Sequence, residues 1–130
     1  MPVIRTTEGG MKTGNRPDWC QVTSAGIFRI STQNGRFDCH YHECHEYWLI
    51  FKGKAKIETE GQAHYVKPGD IVCTKAGDEH DCLEIYEDIE GFYFEDATPD
   101  DGKIGHLHRT EEKAKGHVVP HLPLPNDFPE

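Results

Sequence analysis

The sequence predicts an all-β domain, a sandwich or barrel of short antiparallel strands. Two observations support this prediction. Four glycines recur at intervals of eight residues, which is the length of one strand and a tight turn, at Gly53, Gly61, Gly69 and Gly77. In addition, no long window of the sequence shows the apolar periodicity of an amphipathic helix.

Six segments between turn signals have the character of strands. They are residues 27–31, 47–51, 54–59, 71–74, 82–86 and 91–94. The segment 47–51, with the sequence YWLIF, is apolar at every position, which predicts a strand buried on both faces. The segment 54–59 alternates charged with small or apolar residues, which is typical of an antiparallel strand with one solvent-facing side.

The composition changes on either side of this strand-rich region. Residues 1–25 are rich in glycine, proline and threonine and are predicted to form an irregular N-terminal arm, followed by a barrel core over 26–95. Residues 96–130 form a C-terminal extension with a short helical turn predicted at 110–115. Four of the eight prolines lie in 118–130, which favours an extended path packed on the barrel or on a second subunit.

Charge and length narrow the class of protein. A chain of 130 residues fits one domain, and its net charge of −9 disfavours nucleic acid and anionic membrane surfaces as partners. No apolar run has the length of a membrane-spanning helix, and the polar first residues lack a secretory signal, so we expect a cytoplasmic protein. The five cysteines are odd in number and form no CxxC pair, which favours free thiols over disulfides or a zinc ribbon.

The nine histidines of the chain include a group with the spacing of metal ligands. His40 and His42 are two residues apart, so on a strand both imidazoles project to one side. Glu46 follows four residues later, and a turn between them would fold its carboxylate back toward the two rings. Two histidines and one carboxylate form a facial triad, which is typical of non-haem iron, and His80 is the candidate for a fourth ligand.

This segment resembles the first sequence motif of the cupins, which are small double-stranded β-helix (jelly-roll) barrels. That motif runs G, five residues, H-x-H, three or four residues, E, six residues, G. It is matched in register by His40, His42, Glu46 and Gly53. Gly35 departs from the motif, because it lies one residue too close to His40.

The second cupin motif also has a counterpart in the chain. It runs G, five residues, P-x-G, two residues, H, three residues, N, and Gly69, Gly77 and His80 match it in register. Lys75 stands where proline is usual and Glu84 where asparagine is usual, but neither position is a metal ligand in the family. The resemblance covers about residues 26–95 and implies a jelly-roll barrel with a metal centre. The metal ligands that it implies are His40, His42, Glu46 and His80.

The bare pattern H-x-H-x-x-x-E occurs a second time, at His106, His108 and Glu112. No apolar strand follows this copy, and we interpret it as a chance occurrence in a chain rich in histidine and acidic residues. The histidines of the C-terminal extension are therefore expected to be solvated or to lie at a subunit contact.

Side chains on the same strand faces as the ligands are candidates for a substrate pocket. Trp48 and Ile50 are two and four residues from Glu46, so on a strand they face the same side as its carboxylate. They either line the barrel mouth or pack in the core. Glu84 and Tyr86 share the parity of the second-motif histidine. These two are the candidate catalytic residues for general acid–base chemistry, and the alternative is that they face solvent.

Three neutral imidazoles and one carboxylate around a divalent ion leave a net charge of about +1 and open positions for a chelating or anionic small molecule. We expect one divalent transition-metal ion per chain: iron, manganese, nickel, zinc or copper. The expected function is a dioxygenase-like or decarboxylase-like enzyme acting on a small molecule in the barrel mouth. The alternatives are a sugar or sugar-acid isomerase, epimerase or lyase, and a non-catalytic binding protein. Because cupins pair through sheet edges or swapped terminal strands, the resemblance also implies a homodimer.

Overall fold

The structure is a computed structural model that describes residues 3–12, 14–96 and 105–130. Within these ranges the chain forms nine strands and one short helix. The elements are β1 (Val22–Ile30), β2 (Arg36–Phe37), β3 (Glu46–Lys52), β4 (Ala55–Thr59), β5 (Gln62–Val66), β6 (Ile71–Thr74), β7 (His80–Ile85), β8 (Ile89–Asp96), α1 (Glu111–Lys115) and β9 (His117–Val118). The predicted all-β class is confirmed.

Two antiparallel sheets enclose the core. One has four strands in the order β1-β8-β3-β6, and the other has three in the order β5-β4-β7. β2 and β9 form a separate two-stranded ribbon. Buried side chains from both sheets meet in one hydrophobic cluster, in which Ile50, Ile57 and Ile85 are at most 1% exposed. In this arrangement the ends of β3 and β7 form the mouth of the barrel.

β3 is not buried on both faces, which corrects the prediction for this strand. Trp48 and Ile50 point into the core and are 5% and 1% exposed. Tyr47, Leu49 and Phe51 are 37%, 37% and 42% exposed on the opposite face. The second sheet covers only the inner face of β3, so an apolar outer face remains open to solvent in the single chain.

β5 was not among the predicted strands. It is an edge strand that pairs with β4 alone, and its first three residues, Gln62, Ala63 and His64, are exposed. Val66 is the residue of β5 that enters the core. A strand with so few buried positions lacks the alternation of apolar and polar residues by which a strand is recognised in a sequence.

β7 contains a β-bulge that changes which of its side chains face the core. Two consecutive residues of β4 pair with Cys82 and Glu84, so Leu83 is the extra residue of the bulge. His80 and Cys82 are fully buried before the bulge, and Ile85 is fully buried after it. The inward-facing side chains therefore change from even to odd positions along β7.

The C-terminal extension packs on the barrel of its own chain. The hydroxyl group of Thr110 caps α1 by accepting a hydrogen bond from the backbone N–H of Lys113. Beyond α1, the side chains of Val119 and Phe128 are 1% and 9% exposed. No helix in the described ranges has the length and apolar character that crossing a membrane requires.

Candidate metal centre

The backbone brings the two histidine motifs together. His40 and His80 face each other as an antiparallel bridge, with backbone N···O distances of 3.2 and 2.9 Å. The N–H of Gly77 donates to the carbonyl of His42 at 2.9 Å, which fixes the loop before β7 against the loop before β3. Glu46 and His80 are the first residues of their strands. All four predicted ligands therefore lie at one end of the barrel.

Their side chains converge on one point inside the barrel mouth. One ligand atom from each of the four residues lies within 4.8 Å of the other three. Nε2 of His80 is 2.8 Å from Nε2 of His40 and 3.1 Å from Oε1 of Glu46. Nε2 of His42 is 3.3 Å from Oε2 of Glu46. With each residue at most 5% exposed, the cluster is shielded from bulk water.

Neighbouring groups orient these side chains. Nδ1 of His40 donates to the backbone carbonyl of Asp38, and Nδ1 of His42 donates to that of Gly105 at 2.9 Å. A proton on Nδ1 leaves the lone pair on Nε2, which is the form of imidazole that binds a metal. Nε1 of Trp48 donates to Oε1 of Glu46 at 2.9 Å and orients that carboxylate.

Two buried nitrogens of this cluster have no hydrogen-bond partner in the described part of the chain, namely Nε2 of His42 and Nδ1 of His80. The approach of Nε2 of His42 to Glu46 at 3.3 Å does not have hydrogen-bond geometry. A buried polar atom without a partner costs about 1–3 kcal/mol. A cation between the four side chains would give Nε2 of His42 a partner, so this donor set fits a metal ion.

Burial and mutual contact shift the protonation of these groups. Burial, reinforced by the adjacent His80, lowers the pKa of His40 to about 3, so this imidazole is neutral. Burial alone would raise the pKa of Glu46, but His42 and His80 outweigh it and hold that pKa well below its usual range. Burial also opposes the charged form of His42, yet the Glu46 and Glu95 carboxylates raise its pKa above the ordinary value.

A cavity of about 300 Å³ opens beside the cluster. Its lining includes the aromatic rings of Phe28, Phe37 and Trp48 and the polar residues Ser24, Tyr93 and Glu95. Trp48 thus lines the mouth as well as the core, whereas Ile50 belongs to the core alone. Such a cavity, with a partly apolar lining and few polar groups, is typical of a small-molecule site.

Glu95 is a site residue that the sequence did not point to. It lies on β8 directly opposite Glu46 of β3 and is 5% exposed. Burial and the neighbouring Glu46 carboxylate raise the pKa of Glu95 to about 7. No local motif marks this position, because its place beside the ligands depends on the pairing of β3 with β8.

The two predicted catalytic residues do not reach this cavity. Glu84 and Tyr86 are absent from its lining in the described part of the chain. The hydroxyl group of Tyr86 donates to Oε2 of Glu84 at 2.5 Å, and its ring packs on Phe128 of the C-terminal extension. The physical reason is the bulge at Leu83, after which Ile85 takes the inward position expected for Glu84.

His106 and His108 of the second H-x-H copy lie beside the site, whereas Glu112 of the same pattern is exposed on α1 and pairs with Lys115. The ring of His106 stacks on that of His40, with centroids 3.6 Å apart and planes at 7°. His106 also lines the cavity, and both His106 and His108 bond the carboxylate of Asp38. The contact arises because residues 105–109 return to the barrel mouth, which no local pattern predicts.

All five cysteines are free thiols. Three of them, Cys39, Cys44 and Cys82, are buried, and burial raises the pKa of each to about 12. A thiol with so high a pKa is a poor nucleophile and a poor metal ligand at neutral pH. The candidate metal site accordingly consists of the nitrogen and oxygen donors of His40, His42, Glu46 and His80.

Two sheets around a buried cluster of three histidines and one glutamate define a double-stranded β-helix domain with a candidate mononuclear metal centre. Residues 26–85 match the family described as Cupin domain. The match covers 60 of the 130 residues, and solved cupin structures share the fold of this region. This confirms the family that the two sequence motifs indicated.

Solved structures share the fold. A conserved protein of Klebsiella pneumoniae with a double-stranded β-helix domain is 15% identical, with a TM-score of 0.57 over 84% of this chain and 99% of that one. A predicted oxalate decarboxylase of Thermotoga maritima is 19% identical, with a TM-score of 0.53 over 60% of this chain and 69% of that one. The DMSP lyase DddQ of Ruegeria pomeroyi is 18% identical, with a TM-score of 0.53 over 62% and 41%.

One curated relative is similar in sequence. It is an uncharacterized protein of Sinorhizobium fredii, 38% identical over 71 residues, which are 55% of this chain and 33% of that protein. The chain thus spans about a third of the length of this curated relative. These solved structures share the fold of the chain at low sequence identity, and a shared fold does not determine the reaction.

Proposed function

We propose that the protein binds one divalent transition-metal ion through His40, His42, Glu46 and His80 and uses it to act on a small chelating anion. The observation that carries the proposal is the buried convergence of four donors with Nε2 of His42 left without a partner. Structural networks of histidine and glutamate normally satisfy their buried nitrogens. This cluster instead points its Nε2 atoms at one another, as ligands of a shared cation do.

The surrounding residues define the task of the site. A bound divalent ion supplies a Lewis-acid or redox centre for its ligand. The backbone carbonyls of Asp38 and Gly105 hold the histidine rings, and Trp48 holds Glu46. The aromatic rings of Phe28, Phe37 and Trp48 give the cavity part of its apolar lining. A volume of about 300 Å³ admits a small metabolite.

The reaction class we favour is decarboxylation or dioxygenation of a small carboxylate, hence an oxidoreductase or a lyase. The likeness to a predicted oxalate decarboxylase and to a DMSP lyase supports chemistry on small molecules in this fold. The alternatives are a sugar or sugar-acid isomerase or epimerase, and a non-catalytic binding protein. Oxygen uptake or carbon dioxide release by the metal-loaded protein distinguishes the first class, and ligand binding without turnover distinguishes the last.

Two further features complete the proposal. Five free cysteines support a reducing compartment, the cytoplasm, as the location of the protein.

The exposed apolar residues of β3 and the neighbouring strands support a homodimer, in which the same face of a second copy covers them.

The test is the metal content of the purified protein, measured by inductively coupled plasma mass spectrometry on a preparation without a metal-binding tag. His40→Ala and Glu46→Ala each remove one donor of the cluster. His64→Ala is the matched control, because His64 is an exposed histidine on β5, outside the cavity lining. We expect about one ion per chain in the wild type and the control, and less than about a tenth of that in the other two variants.

The identity of the ion then directs the activity screen. Iron or copper leads to oxygen-uptake and decarboxylation assays, and zinc or manganese leads to isomerase and lyase assays. A wild-type protein that holds no ion, and takes up none from solutions of several divalent metals, would rule out the metalloenzyme.

A further inference from the structure

Residues 105–109, which we name the strap, cross the barrel mouth beside the metal centre. Leu107 pairs with Tyr41 through two backbone hydrogen bonds of 2.9 and 3.0 Å. The carbonyl of Gly105 accepts from Nδ1 of His42 at 2.9 Å. These contacts attach the strap to the first histidine motif through Gly105 and Leu107, the two neighbours of His106.

Gly105 and His106 of the strap line the cavity, and His106 is the one of the two that brings a side chain to it. Its ring lies parallel to that of His40 at 3.6 Å and forms part of the cavity lining. The side chain is 52% exposed, whereas that of His40 is 3% exposed. His106 thus lies at the rim, beside the path by which a ligand reaches the buried donors.

Asp38 determines which nitrogen of His106 is free. Oδ2 of Asp38 is 2.8 Å from Nδ1 of His106 and 2.6 Å from Nε2 of His108. Because a carboxylate only accepts hydrogen bonds, both of these ring nitrogens donate. In neutral His106 the proton is then on Nδ1, and Nε2 keeps its lone pair. Nε2 of His106 has no partner among residues 3–12, 14–96 and 105–130.

We propose that Nε2 of His106 accepts a hydrogen bond from a hydroxyl group of the bound ligand, so that the site selects an α-hydroxy acid. This inference rests on the proposed function, because the ligand's carboxylate is the group held at the metal centre. A lone pair at the rim stabilises a neighbouring hydroxyl and repels a neighbouring carbonyl or carboxylate oxygen. Ser24 and Tyr93, which also line the cavity, are two further residues with hydroxyl groups.

The test compares lactate with pyruvate, which differ in having a hydroxyl or a carbonyl group at the α-carbon. The full chain is loaded with Co(II), and each acid is titrated at pH 8 while the visible absorption of the cobalt is recorded. His106→Phe keeps an aromatic ring against His40 and removes both nitrogens. His108→Phe is the matched control, because His108 also bonds Asp38 but is absent from the cavity lining in the described ranges.

We expect the wild type to bind lactate more tightly than pyruvate. His106→Phe should weaken lactate binding about five- to tenfold, the effect of losing one hydrogen bond, and change pyruvate binding by less than about twofold. His108→Phe should change the binding of either acid by less than about twofold. Unchanged lactate affinity in His106→Phe, or equal losses for both acids, would overturn the proposal. A wild-type protein that takes up no Co(II) would overturn the proposed function, and this inference with it.

Asp38 acts through His106 and is a positioning residue. Asp38→Asn keeps the size of the side chain, but its amide can donate as well as accept, so it no longer fixes the proton on Nδ1. We expect the preference of the Co(II)-loaded variant for lactate over pyruvate to fall about threefold or more, and Asp38→Glu to restore part of it. A purely structural role would lower the unfolding temperature without altering the preference, and that result would contradict this role.

Discussion

At the residue scale, two carboxyl groups that face each other across β3 and β8 have opposite chemistry. Glu46 is beside His42 and His80, which hold its pKa well below the usual range. Glu95 is buried beside Glu46, and both burial and the like charge raise its pKa to about 7. Register alone places them together, since Glu46 pairs with Glu95. The site therefore contains one fixed anion and one carboxyl group that can hold a proton near neutral pH.

Glu95 makes the stability of the metal-free protein depend on pH. Between its ordinary pKa of 4.5 and its folded pKa of about 7, the folded state binds more protons at this carboxyl group than the unfolded state does. Stability from Glu95 is therefore present at low pH and is lost as the pH rises through this window. Glu95→Gln removes this pH dependence. The free energy of unfolding of the variant, relative to that of the wild type, should therefore rise by about 2 kcal/mol from about pH 4.5 to pH 8.

Denaturant unfolding in the presence of a chelator measures this difference. Glu111→Gln is the control, because Glu111 is exposed on α1 and should follow the wild type at every pH. A constant difference between Glu95→Gln and the wild type across the range would show that Glu95 titrates normally.

At the scale of elements, tight turns set the order of the strands. The four evenly spaced glycines, Gly53, Gly61, Gly69 and Gly77, all have φ between +77° and +98°. This left-handed conformation strains any residue with a Cβ atom. The eight-residue spacing thus marks the positions of tight turns. Those turns bring His80, at the start of β7, to the same end of the barrel as Glu46, at the start of β3.

Gly53 and Gly61 make a matched pair for testing this role. A Cβ atom on Gly53 would collide with the backbone carbonyl of Asp88, whereas one on Gly61 would meet no atom within 4 Å. Gly61→Ala should therefore cost about 1 kcal/mol of unfolding free energy from strain alone, and Gly53→Ala at least about 3 kcal/mol. Chemical denaturation of both variants measures the difference. Equal losses would mean that the close approach at Asp88 relaxes freely.

At the scale of the whole molecule, the four-stranded sheet exposes an apolar face. Leu49 of β3 pairs with Ile71 of β6 on one side and Phe92 of β8 on the other. Tyr47 and Phe51 extend the same surface along β3, and Ile71 is 64% exposed. A contiguous apolar surface of this kind is typical of a protein interface.

Leu49→Lys tests whether a second copy covers this apolar face. A buried lysine opposite its own symmetry mate would be strongly unfavourable in a two-fold interface, so a dimeric wild type should become monomeric. Light scattering coupled to size-exclusion chromatography gives the masses. Leu122→Lys is the control, because Leu122 is similarly exposed, at 39%, but lies on the C-terminal extension. A monomeric wild type at micromolar concentration would refute the homodimer.

The sequence by itself determined the parts of this protein that depend on local spacing. His40, His42 and Glu46 lie within seven residues, so their spacing alone indicates that they belong together. The regular glycines predict short strands joined by tight turns. Alternation and turn chemistry act over a few residues, so they can be read along the chain.

Only the tertiary structure decided which distant residues share the site. Glu95 reaches it through strand register, and His106 reaches it because the strap returns to the barrel mouth. Glu84 is turned away from it by a single extra residue at Leu83. Each of these outcomes depends on pairing between segments far apart in the chain, and a shift of one residue in that pairing exchanges the two faces of a strand.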